Sequence, residues 1–343
     1  MKLLLLSVLF ILFVFPSGAQ YNLDQNNINA RVEYDGILFN VDHNTAAGFE
    51  IPIGSGNSTI FDFNFWVGGK NNGEVYVYGV KYMQFFPDTQ HDRYGPIMNS
   101  IYYGTEDNLW KRVWKLSKEE IQTHILNFNS VGYIMPEAIE SWPAHGDPSK
   151  GQAANLAAFE DVNANGIYEP ELGDYPVILG DHAIFLICNS DRDNEFLGPM
   201  GIETHVLVYT FDCDEDAYNN TVFAYVKHFN RSGLDYEDSY LGFFFDPDIG
   251  AAFDDNVRVD VDRASIYGFN GDSLDEISNS GPGYQNIIPA QSATVLRGVK
   301  QDNDNEDNDF GINENESVNG IGYGDGIVDN EYRGLDFFSF PFC

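Results

Sequence analysis

The sequence predicts a mainly β fold of sandwich-like sheets, interrupted by a small helical insert and by an acidic, asparagine-rich loop. Three observations predict it. Runs rich in Val, Ile, Tyr and Phe recur along most of the chain, separated by Gly-Asn punctuation, as strands and turns require. A clear helical spacing of apolar residues is confined to residues 117–142. Finally, 43% hydrophobic and 15% aromatic residues suffice to bury a large core, which excludes a disordered acidic chain.

The chain opens on "MKLLLLSVLFILFVFPSGAQ". Lys2 precedes an apolar run over residues 3–15, Pro16 ends the run, and Ser17, Gly18 and Ala19 are the small residues that signal peptidase reads. The run is short for a membrane span and no stop-transfer charges come after it. Residues 1–19 are therefore expected to be a cleaved secretory signal. The exported chain has no further apolar stretch of membrane-spanning length, so no membrane insertion is expected after cleavage.

Residues 20–154 read as a β-rich region. "RVEYDGILFNV" and "GEVYVYGVKYMQFF" have strand composition, and "GSGNS" and "GGKNNGE" have turn composition. The period then changes. In "KLSKEEIQTHILNF" Ser117 stands three residues before Glu120, a capping box, and Ile121, Ile125 and Phe128 continue at helical spacing. A second short helix is expected from Pro136, since proline suits a first turn. Trp110, Trp114 and Trp142 bracket this insert and are expected to pin it to a sheet.

Residues 155–343 return to strands in "HAIFLIC", "THVLVYTF", "NTVFAYVKHF", "SYLGFFF", "ASIYGF" and "ATVLRGV". Turn residues separate them at sandwich-like intervals. The segment 302–331 is rich in Asn, Asp and Gly, with no Lys or Arg between Lys300 and Arg333. It is either a disordered linker or a long loop that needs cations.

Charge narrows the partners. With 18 basic against 53 acidic residues the formal charge is −35. Such a field disfavours nucleic acid and anionic lipid, and suits a salty habitat or divalent cations. The cysteines, Cys188, Cys213 and Cys343, have no metal-thiolate spacing. Export permits a Cys188–Cys213 disulfide, and free thiols are the equal alternative.

The acids fall into three groups. In "DVNANGIYEPEL" Asp161, Asn163 and Asn165 occupy positions 1, 3 and 5 of an EF-type calcium loop, with Gly166 at 6, the Ile167 carbonyl at 7 and Glu169 at 9. Position 12 is Leu172, which cannot ligate, so Glu171 or Asp174 would have to replace the missing acid. Such a site is expected to be a structural Ca2+ clamp; the alternative is an Asx-rich turn without metal. In "FFFDPDIGAAFDDNVRVDVD", Asp246, Asp248, Asp254 and Asp255 form a second candidate calcium site. A solvated acidic edge and a glycosidase-type carboxylate pair are its alternatives. In "NGIGYGDGIVDNE", Asp325, Asp329 and Glu331 stand after a glycine-rich turn and resemble the latter half of a dockerin-type calcium loop. A phosphate cradle is disfavoured there, because no Lys-Ser/Thr comes after the glycines.

The 7 histidines are scattered singly, and neither a His-Glu-x-x-His run nor a Gly-x-Ser-x-Gly elbow occurs. His205 and His228 are expected to be hydrogen-bonded strand residues.

Several separated segments carry a resemblance. "IPIGSGNSTIFDFNFWVGG", "RVWKLSKEEIQTHI", "GYIMPEAIESWPAHGDP", "AAFEDVNANGIYEPELGDYP", "NNTVFAYVKHFNRSG", "FFFDPDIGAAFDDNVRVDVD" and "GDGIVDNE" occur in this order. Together they resemble a family of secreted Bacteroidota proteins exported through the type IX pathway, whose members carry a C-terminal type A sorting domain. The resemblance covers about residues 30–336. It implies secreted or cell-surface placement and no established enzymatic activity. In that family the loop usually carries an acid where this chain has Leu172, and Gly-Cys-Asp often stands near Val257 to Asp260. A sorting domain is expected beyond the apolar "GLDFFSFPFC", so this chain reads as a truncated product that would stay periplasmic.

Two function classes fit these features. The preferred one is a non-enzymatic surface or matrix protein, with calcium clamps stiffening a β scaffold for adhesion to surface proteins or extracellular polysaccharide. The alternative is a carbohydrate-binding or glycoside-hydrolysing module using Trp66 and the acids at 246–255.

Overall fold

The computed structural model describes residues 20–41, 46–79, 93–191, 199–260, 263–278 and 281–298. The signal segment 1–19, the end of "GEVYVYGVKYMQFF", Asp262, and the C-terminal stretch with 302–331 and "GLDFFSFPFC" lie outside the described residues.

The protein is mainly β, built from several antiparallel sheets with few helices. Its centre is the strand His182–Asn189, all of it buried after the first residue. On one side it pairs with Ile202–Thr210, which pairs in turn with Phe223–Asn230. On the other side it pairs with both Arg93–Tyr94 and Trp114–Ser117. Strand side chains alternate between faces, and here both faces are covered. Ile184, Leu186 and Cys188 enter one core with Val206 and Val208. Ala183, Phe185 and Ile187 enter a second core with Leu207. This explains why "AIFLIC" reads as an unbroken apolar run rather than an alternating one.

The first core is closed by N-terminal strands. Leu23, Ile28, Ala30, Val32, Leu38 and Phe49 pack there, from the antiparallel set Gln20–Leu23, Asn29–Glu33 and Phe49–Glu50 and the turns between them. Beside them, Asp62–Asn71 pairs with Glu74–Tyr78 and with Glu237–Asp246. Phe63 stacks on Phe243 across that pair, ring centroids 5.3 Å apart. A third sheet joins Asn256–Asp260, Ser265–Phe269 and Ala290–Thr294. The strand expected in "ATVLRGV" thus begins earlier and ends at Thr294. Thr294 already opposes Ser265, the first residue of its partner strand, so the ladder runs out before Val295.

The helical insert covers the second core. Ser117 caps the helix Lys118–Asn127: its Oγ accepts from Glu120 N at 3.1 Å, and Glu120 Oε2 accepts from Ser117 N at 2.7 Å. A cap of this kind is worth about 1 kcal/mol. The second short helix, Glu137–Glu140, begins behind Pro136 as expected. Trp114 and Trp142 both pack on Phe185, and Trp110 packs edge-on against Trp114. The tryptophans do pin the insert to the sheet. Cys188 and Cys213 are free thiols, Cys188 buried in the first core. Among the described residues no helix is long and apolar enough to cross a membrane.

Candidate functional site

The acidic loop 161–174 connects two short strands that pair with each other, Phe159–Glu160 and Tyr175–Pro176. Within it, side-chain oxygens accept from the loop's own N–H groups. Asp161 accepts from Asn165 N at 3.2 Å and from Gly166 N at 2.6 Å. Asn163 accepts from Asn165 N at 3.1 Å, and Asn165 from Ile167 N at 2.7 Å. The chain can wrap this way because Ala164 and Gly166 take positive φ, 57° and 80°. Glycine at the sixth position meets that demand at no steric cost. Glu169 Oε2 accepts from Asn165 Nδ2 at 2.6 Å, which brings the ninth-position acid to the fifth-position amide.

Asp161, Asn163, Asn165 and Glu169 are therefore drawn together, with Ile167 between them in the loop. Leu172 is exposed, in the 3-10 turn Pro170–Leu172. Asp174 is fully buried and serves as a clasp. Its two oxygens accept from Val162 N at 2.9 Å and Glu169 N at 2.8 Å, joining the two ends of the loop. Each carboxylate oxygen retains a further acceptor site.

The surrounding insert holds the loop in place. Tyr168 N donates to His145 Nε2 at 3.1 Å, and Tyr168 OH donates to Ile139 O at 2.7 Å. Burial, with the charges of Asp174 and Glu171 adding, pushes the Tyr168 hydroxyl far above its ordinary range. Among the described residues no three His, Cys, Asp or Glu side chains are grouped so as to hold a metal ion alone. The loop instead offers a mixed set of carboxylate, amide and main-chain oxygens. That all-oxygen chemistry fits a hard cation such as Ca2+.

The second acidic group is assembled from distant segments. Asp246 ends its strand opposite Asp62, which is buried. Asp248 and Gly250 hang on the carbonyls of Thr59 and Ser58 through their N–H groups. Asp255 Oδ2 accepts from Ile249 N at 2.7 Å, while its Oδ1 is buried without a hydrogen-bond partner among the described residues. Asp254 lies beside Asn270 Nδ2, 3.5 Å from its carboxylate.

Asp275, which sequence reasoning missed, is fully buried here and accepts from Ala251 N at 2.8 Å. The signal that could have found it is Gly250: its φ is 63°, and a Cβ there would come within 2.0 Å of Asp275 Oδ2. Burial, then repulsion from Asp246 and Asp255, raises Asp248 to about 7. Burial raises Asp255 to about 6; the Ile249 N–H opposes the rise, and Asp254 and Asp275 add to it. A proton or a cation would relieve this repulsion.

No family model, curated protein or solved structure matches the chain.

Trp66 stacks on Phe244 at 5.8 Å, its Nε1 donates to Asn64 Oδ1, and Gly79 approaches so closely that a Cβ would lie 2.6 Å from the ring. Those contacts leave little of the indole for a sugar. His205 Nε2 donates to Glu203 Oε1 at 3.1 Å, and Arg231 donates to the same oxygen at 3.1 Å. Burial would raise the Glu203 carboxyl, but these partners and Ile97 N outweigh it and hold the value low. His228 meets Thr204 Oγ1 at 3.0 Å. Both strand histidines are thus hydrogen-bonded, as expected. Asp325, Asp329 and Glu331 lie outside the described residues.

Proposed function

We propose that this chain is a non-enzymatic, secreted or cell-surface β scaffold whose loops are stiffened by Ca2+, and that it serves adhesion or a matrix. The observation that carries the reading is the 161–174 loop. Asp161, Asn163, Asn165 and Glu169 converge there around a glycine at the sixth position, on a support fixed by His124, His145 and Tyr168. The acids at 246, 248, 254 and 255 are a second place where a cation would relieve repulsion. The resemblance to exported Bacteroidota proteins supports the placement outside the cell. A carbohydrate-binding or hydrolysing role draws less support, because Trp66 is engaged within its own sheet.

Ligand linkage sets the test. Calcium at 100-fold excess over Kd stabilises by about 2.7 kcal/mol, and extracellular sites bind in the region of 0.1–1 mM, roughly. Millimolar calcium should raise the Tm, and the rise should shrink in Asp161→Ala. Identical melting curves in calcium and in chelator would reject the clamp.

A further inference from the structure

Beside the loop lies an open cleft of about 410 Å3, between the start of the second short helix and the loop's second half. Pockets that take small ligands run from roughly 300 to 1,000 Å3. Ile134, Met135, Tyr168 and Pro170 form its apolar part, and Glu140, Glu169 and Glu171 its polar part. Glu140 and Glu171 are exposed, and neither carboxylate forms an ion pair or hydrogen bond among the described residues. The cleft's apolar lining is open to solvent at one edge, where Ile134 is 88% exposed.

We infer that this cleft docks a basic side chain, lysine or arginine, carried on an apolar segment of a partner protein. Charge complementarity selects the cation, since three carboxylates line the cleft and the whole chain carries −35. A field of that sign steers basic partners and repels acidic ones. The exposed apolar edge selects a peptide over a free small cation, because Ile134 gains from burial only if the cation arrives with apolar neighbours. Lysine and arginine themselves bring an apolar stem for Met135 and Pro170 to cover. This docking belongs to the calcium-free chain, since calcium on Glu169 would occupy one of the three carboxylates; the cleft walls are fixed without it by Tyr168 OH on Ile139 O and by the 3-10 turn at Pro170.

Titration calorimetry in chelator tests it, with a short peptide alternating leucine and lysine, its leucine–glutamate counterpart, and a linear polyamine as probes. The leucine–lysine peptide should bind, and the double variant Glu140→Gln/Glu171→Gln should weaken it at least tenfold. A control pair, Glu119→Gln/Glu276→Gln, removes the same charge from exposed positions outside the cleft and should change the affinity less than twofold. Ile134→Ser should weaken the peptide without altering the polyamine. Equal losses in the two double variants would reduce the binding to general surface charge and overturn the inference. So would absence of binding, or a polyamine that binds as tightly as the peptide. None of these outcomes touches the calcium-dependent Tm, so the two readings fail separately.

Discussion

His124 Nε2 lies 3.0 Å from the carbonyl oxygen of Asp174, so the helix Lys118–Asn127 grips the residue that clasps the acidic loop. A carbonyl only accepts, so Nε2 carries the proton and Nδ1 is left to accept from Tyr133 OH at 3.2 Å. This neutral tautomer agrees with burial lowering the His124 pKa. Replacing the ring strips a partner from a buried carbonyl and opens a cavity. His124→Ala should cost about 2–4 kcal/mol, read as a lower urea midpoint. A midpoint within error of wild type would show that the insert does not hold the loop.

His228 works against the fold in acid. Burial lowers it to about 4, and His124 is shifted in the same direction. A histidine whose folded pKa is depressed favours the fold fully above its unfolded value of about 6.5, and that stability is lost as pH falls towards the folded value. The share of stability that these histidines contribute should therefore decline from about pH 6.5 down to about pH 4. His228→Gln, which keeps a polar partner for Thr204, should flatten the upper part of that decline. An unchanged pH profile in the variant would assign acid unfolding to other groups.

Asp248 and Asp255 act with the opposite sign. Their folded values, about 7 and about 6, lie above the unfolded range, so the protonated pair favours the fold. That contribution is present below about pH 4 and is lost as pH rises through 6 and 7. Asp248→Asn should therefore stabilise the chain at about pH 8 by roughly 2 kcal/mol, at 1.4 kcal/mol per unit and discounted for solvent screening. The gain should vanish near pH 4. If millimolar calcium stabilises wild type at pH 8 more than it stabilises this variant, the cation replaces the proton at these acids. A variant less stable than wild type at pH 8 would show that the Asp248 carboxylate is a needed partner.

Much of the fold was legible because its signals are local. The Ser117–Glu120 capping box, Pro136 before a helix and Gly166 at a sixth position are each read from a handful of neighbouring residues, and each is present in the folded chain. What the sequence hid is tertiary. An apolar run such as "AIFLIC" does not reveal that alternate residues feed two different cores. Asp275 joins the acids at 246–255 through a loop 20 residues beyond Asp255, with only Gly250, whose positive φ and close approach leave no room for a Cβ, to point at it. Asp174 was legible as a needed acid, but its seat on Val162 N and Glu169 N depends on how the insert packs. His205 was legible as a hydrogen-bonded strand residue, but its partner Glu203, and Arg231 on the same carboxylate from a neighbouring turn, were not.

The two-faced strand yields a last expectation. Phe185 packs between Trp142 at 5.0 Å and Trp114 at 6.2 Å, and meets the His205 ring edge-on at 5.8 Å. Its neighbour Leu186 points the other way, into the first core. Truncating a buried phenylalanine costs about 3–5 kcal/mol and a leucine about 2–5 kcal/mol, so Phe185→Ala and Leu186→Ala should destabilise to comparable degrees. Their local effects should differ. Phe185→Ala removes the shelf on which both tryptophans rest, so amide exchange should speed up first in residues 118–127 and 137–140. Leu186→Ala should instead loosen the strands Asn29–Glu33 and Phe49–Glu50, which face the first core. Hydrogen exchange followed by mass spectrometry separates the two patterns. If both variants release the same segments together, the two cores unfold as one cooperative unit, and the insert is no independent cover for the sheet.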